Sequence, residues 1–166
     1  MSDVSIDRVD PARTGVVAGR VVGLLTGALA VVSLLSMRET FVGQLRVIVD
    51  LLGIGPTLFG VEAGAVLTIY FWLVTAGAVL ARYALAYVLG SLIGVVYDWL
   101  DEPPAPVLVA GVLVVGLVDG AIQAIDTGNA VIGAAYVLAW LAYVPTFYWV
   151  HDPDAETEHD GHARRF

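Results

Sequence analysis

The chain contains no cysteine. Disulfides, thiolate metal centres and cysteine nucleophiles are therefore excluded. Lysine is missing too: all eight basic residues are arginine, and there is no P-loop lysine motif. Charge as a whole is scarce. Charged residues make up 14% of the 166 residues, well below the roughly 25% of a soluble globular domain. The three histidines, at 151, 159 and 162, all follow the last apolar run. None stands inside an apolar segment to act as a base for Ser33, Ser36 or Ser91, or to ligate haem. The motifs H-E-x-x-H and G-x-S-x-G are also missing. The expectation is a protein that is not an enzyme, with no catalytic residue, no cofactor and no metal. Acids outnumber bases sixteen to eight, for a net charge of −8. Nucleic-acid binding rests on cationic contacts, so no nucleic-acid partner is expected.

Four long apolar runs fill the chain instead. Val21 to Met37 has no charged residue, and Ala63 to Tyr97 is interrupted by Arg82 alone. Pro103 to Val118 and Thr127 to Val150 are uncharged. About 20 apolar residues cross a bilayer core of roughly 30 Å as a helix. In that medium each backbone N–H and C=O must be satisfied within its own helix. The sequence thus predicts an all-α, polytopic membrane protein, a bundle of four transmembrane helices forming a single domain in a lipid bilayer. The expected spans are about 14–37, 62–97, 107–125 and 130–150, with tails at 1–13 and 151–166. Pro11 is expected just ahead of the first helix. The leader carries Asp3, Asp7 and Asp10, and the first apolar stretch exceeds an h-region of ~7–15 residues. It reads as a retained helix rather than a signal peptide.

Between the first two spans, residues 39–59 read differently. Phe41, Leu45, Ile48 and Leu52 recur at helical spacing, while Glu39, Gln44, Arg46 and Asp50 take the other faces. This is the pattern of an amphipathic helix in the interface; a re-entrant segment and a fifth span are the alternatives. Gly53, Gly55 and Pro56 break it. The stretch 62–97 is long for one perpendicular span. It has no turn residues around Arg82, so it reads as one long helix. Trp140, Tyr143, Phe147, Tyr148 and Trp149, with Tyr97 and Trp99, suggest an aromatic belt at one membrane face. Arginine placement favours a cytoplasmic location for both termini. The lysine-free, aspartate-rich composition resembles that of halophilic archaea.

Two constellations stand out. Gly15, Gly19, Gly23 and Gly27 fall on one helix face and make a smooth groove for helix packing. Gly116 with Gly120, and Gly90 with Gly94, add shorter grooves. Packing within the chain is the expectation, with self-association second. Asp119, Gln123 and Asp126 lie on one face of the third span, and an intramembrane carboxylate needs a partner. Arg82 is the candidate. Counted back from the loop between the second and third spans, Arg82 is ~22 Å deep and Asp119 ~18 Å. The pair reads as a structural tie, with an ion or proton path as the alternative. The tail with His159 and His162 reads as solvated rather than as a metal site. Together these features point to a scaffold or accessory subunit, associated with itself or another membrane protein. A small channel through Arg82, Asp119 and Gln123 is the runner-up.

Overall fold

The computed structural model describes residues 10–53, 57–58 and 61–151. The tail with His159 and His162, and the breakers Gly55 and Pro56, lie outside the described residues. In chain order the elements are α1 (Pro11–Ser36), α2 (Arg38–Leu51), β1 (Thr57–Leu58), β2 (Val61–Glu62), α3 (Ala63–Trp99), α4 (Ala105–Thr127), α5 (Ala130–Leu141) and α6 (Tyr143–His151). Among the described residues, four spans are long and apolar enough to cross a membrane: α1, α3, α4, and α5 with α6 as one.

Local chemistry sets the boundaries. The Asp10 side chain accepts from the Ala12 N–H at 2.9 Å and caps α1. Pro11 therefore opens the helix, at the N-terminal position where its missing N–H costs nothing, rather than standing ahead of it. Helix α1 ends at Met37 and α2 begins at once. None of the α2 residues is buried; its contact with the bundle includes Phe41, which stacks on Tyr70 at 6.2 Å and meets Phe71 edge-on at 5.9 Å, and Arg38, whose guanidinium lies 5.7 Å from the Phe71 ring centroid. Gly53, at φ 67°, supplies the left-handed residue that turns the chain away. A two-residue antiparallel ladder, Thr57 opposite Glu62 and Leu58 opposite Val61, leads into α3.

Helix α3 has 37 residues, about 55 Å of helix. It exceeds the bilayer core, and its first three turns carry the α2 contact. Asp101 and Glu102 then take left-handed φ values of 58° and 52°, and Pro103 and Pro104 hold the chain extended until α4 starts. At the other end of α4, Gly128 is left-handed at φ 62°, and the Asn129 side chain accepts from the Val131 N–H to cap α5. Asp126 and Thr127 thus end α4, two residues past the expected limit of the third span. The last span is also not one uninterrupted helix. Its segments divide at Ala142, three residues before Pro145, which offers no N–H to the carbonyl a turn behind it.

The helices pair as α1 with α3 and as α4 with α5, and α1 joins the pairs by packing on α5 and α6. Helices α3 and α4, although consecutive, touch at few points. An apolar groove of about 270 Å³ opens between them, lined by Leu89, Ile93 and Val96 on one side and Leu108, Gly111 and Val115 on the other. Gly94 packs against Pro11, and Tyr97 meets the His151 ring at 5.9 Å, so the start of α1 and the end of α6 share one end of the bundle.

The core gathers at that end, around Ala18, Val22, Ala86, Tyr97, Val112, Trp140, Tyr143 and Phe147. This corrects the aromatic-belt reading. Trp140 is 1% exposed, and Tyr143 and Phe147 are fully buried; Trp99 and Trp149 do face outward. The Tyr143 hydroxyl donates to the Gly90 carbonyl at 2.8 Å. His151 is buried too. It ends α6 rather than starting a solvated tail, against Tyr97 and Phe147 and 3.7 Å from a Glu102 carboxylate oxygen.

Candidate functional site: an intramembrane charge pair beside a polar cavity

The polar centre of the bundle is assembled by its glycines. On α1, a Cβ built on Gly15 would stand 2.6 Å from the Gly90 carbonyl oxygen, and one on Gly19 would stand 2.7 Å from that of Ala86. Gly23 faces Tyr83 and Gly27 faces Val79. All four glycines are thus covered by α3 of the same chain. On α4, Gly116 and Gly120 flank Asp119. A Cβ on Gly116 would lie 3.0 Å from the Trp140 Cβ, and one on Gly120 2.6 Å from the Gly133 carbonyl oxygen. Small residues let two backbones approach where lipid supplies no hydrophobic drive between helices. Here the approach brings Trp140 of α5 within reach of Asp119.

Asp119 receives two donors from two helices. Arg82 Nη1 of α3 donates to Oδ1, and Trp140 Nε1 donates to Oδ2 at 2.9 Å. Both carboxylate oxygens are therefore engaged, as a charge removed from water requires. The Arg82 guanidinium also lies over the Tyr136 ring, 5.0 Å from its centroid, a cation–π contact that is stronger away from water. The cluster ties α3, α4 and α5 together where α3 and α4 otherwise hardly meet.

Gln123 and Asp126 do not join the ion pair. Gln123 is 8% exposed and Asp126 is exposed. Both line a cavity of about 160 Å³ with Ser33 of α1, Ala78 and Arg82 of α3, and Thr127. Trp140, Tyr136 and Gly133 are the members that sequence reasoning missed. Tyr136 and Trp140 are four apart, so they share a helix face, and each has a polar tip. That spacing was the available signal, and the aromatic-belt reading obscured it. Gly133 stands without a second glycine four residues away, so no pattern marked it.

The hydroxyls of Ser33 and Ser36 donate to their own helix, to the Leu29 and Ser33 carbonyls. Among the described residues no group of three His, Asp or Glu gathers that could hold a metal ion. Comparison with protein-family models, with curated proteins and with solved structures finds no match for the chain.

Proposed function

We propose that this chain is a small, non-catalytic scaffold or accessory subunit, seated in a cellular or viral-envelope membrane of the haloarchaeal type. One observation carries the reading: α3 and α4 are left apart, with an open apolar groove between them, on a bundle whose intramembrane charges are engaged with one another. An incompletely packed apolar side is what a helix of a partner membrane protein would complete, through close packing rather than hydrophobic drive. The lysine-free, acidic composition supports the salt-rich setting. Arginine placement favours the cytoplasm for the end of the bundle where α1 starts and α6 finishes.

A channel through Arg82, Asp119 and Gln123 is the second reading, favoured by the polar cavity beside Arg82. Against it stand the packed Trp140, Tyr143 and Phe147 on the far side of the pair. Purification from the native membrane in mild detergent separates the two. Stable co-purifying membrane proteins are expected. A homo-oligomer that is pure and passes ions in liposomes would replace the scaffold reading with the channel.

A further inference from the structure

The cavity between α1, α3 and α4 has a mixed wall, in which Ser33, Arg82, Gln123 and Thr127 stand among alanines, Leu34 and Met37. Arg82 carries five N–H donors, and the hydrogen bond it makes is the one to Asp119. The buried Gln123 amide faces the space with no hydrogen bond to another described side chain. The fully buried Tyr136 hydroxyl, behind Arg82, has Ser33 as its polar neighbour but no partner of full hydrogen-bonding geometry among the described residues. The Ser33 and Thr127 hydroxyls donate to the Leu29 and Gln123 carbonyls at 2.8 and 2.6 Å, which leaves their lone pairs to accept. Unmet polar groups in an apolar medium cost several kcal/mol each, and a cavity of this size has room for roughly five waters.

We infer that this cavity is a one-sided binding vestibule for water and small uncharged hydrogen-bonding solutes, reached from the face opposite the chain ends and closed at Arg82, Asp119 and Trp140. Position sets the opening: Ser33, Met37 and Thr127 line the cavity, and they stand at or just past the ends of α1 and α4 remote from Pro11. Charge balance sets the ligand class. Arg82 and Asp119 cancel, an added anion would face Asp126, and an added cation would face Arg82. The closed end follows from packing, because Trp140, Tyr143 and Phe147 fill the space beyond the pair.

The absence of cysteine makes the test direct. Ala30→Cys and Ala78→Cys put single thiols on the cavity wall at two helices, so one failed variant leaves the other. Leu80→Cys, at nearly the same depth and 69% exposed on the outer surface, is the lipid-facing control. Membrane vesicles are treated from each side with a small, membrane-impermeant thiol reagent. Both wall thiols are expected to react from the face opposite the chain ends, at least about tenfold faster than the control, because the reagent needs a hydrated, ionisable thiol. Gln123→Leu should slow labelling at Ala78→Cys by drying the wall. Failure of both wall thiols to react from either face overturns the vestibule and leaves the scaffold reading intact. Reaction from both faces overturns the closed end and the scaffold together, in favour of a pore.

Discussion

The contact between α1 and α3 differs from that between α3 and α4 in almost every respect. The first pair is separated in sequence by α2 and the short ladder, yet it packs backbone to backbone along its length, from Gly15 beside Gly94 to Gly27 beside Val79. The second pair is joined by a loop of a few residues, yet it stays apart around a groove lined by Leu89, Ile93, Val96, Leu108 and Val115. Both pairs are apolar, so apolarity does not decide which helices meet. Lipid solvates leucine as well as another helix does. What remains is fit: glycine lets one helix into the van der Waals range of the next, and branched side chains hold it off. Where α3 and α4 are held off, the long Arg82 side chain spans the space to Asp119.

The comparison can be broken at its tightest point. Gly90→Val should cost the most, about 3 kcal/mol or more, because a Cβ there would lie 2.5 Å from the Gly19 Cα. Unfolding in mild detergent measures it, and near-native stability would mean that α1 and α3 can part freely. Asp119→Asn comes next, at about 2 kcal/mol, since it leaves the Arg82 charge without its counter-charge. The paired replacement Arg82→Leu with Asp119→Leu should recover much of that loss. If the double variant melts as low as the single one, the tie is not electrostatic. Tyr143→Phe removes the hydrogen bond to Gly90 and should cost about 1 kcal/mol, read in the same assay. Gly77→Ala and Gly111→Ala mark the other extreme. A Cβ at either meets nothing within 4 Å, so each should leave the melting temperature unchanged or raise it slightly, by less than about 1 kcal/mol in stability.

The spans themselves were legible in the sequence, as were the single long helix around Arg82 and the break after α2. Each is a matter of length, composition or backbone conformation along one stretch. Boundaries moved by a few residues where a side chain caps a helix, as Asp10 and Asn129 do. The depth count along α3 and α4 could put Arg82 and Asp119 at similar levels, because helical rise is constant. It could not show that Trp140 takes the second carboxylate oxygen, because that depends on how closely Gly116 and Gly120 let α5 approach. His151 and the ring cluster at the end of α6 were misread for a related reason. An aromatic residue near a span's end suits the interface and the core equally well, and the choice rests on whether a neighbouring helix leaves space.

By itself, then, the order of residues determined the apolar character of this protein and which described segments are long enough to cross a bilayer. A bilayer demands helices of fixed length and tolerates little else. Only the tertiary structure decided which helices touch, which of the polar groups are satisfied and where a cavity is left over. Those outcomes turn on shape complementarity between surfaces that are distant in sequence, and no periodicity along one helix encodes the surface it will meet.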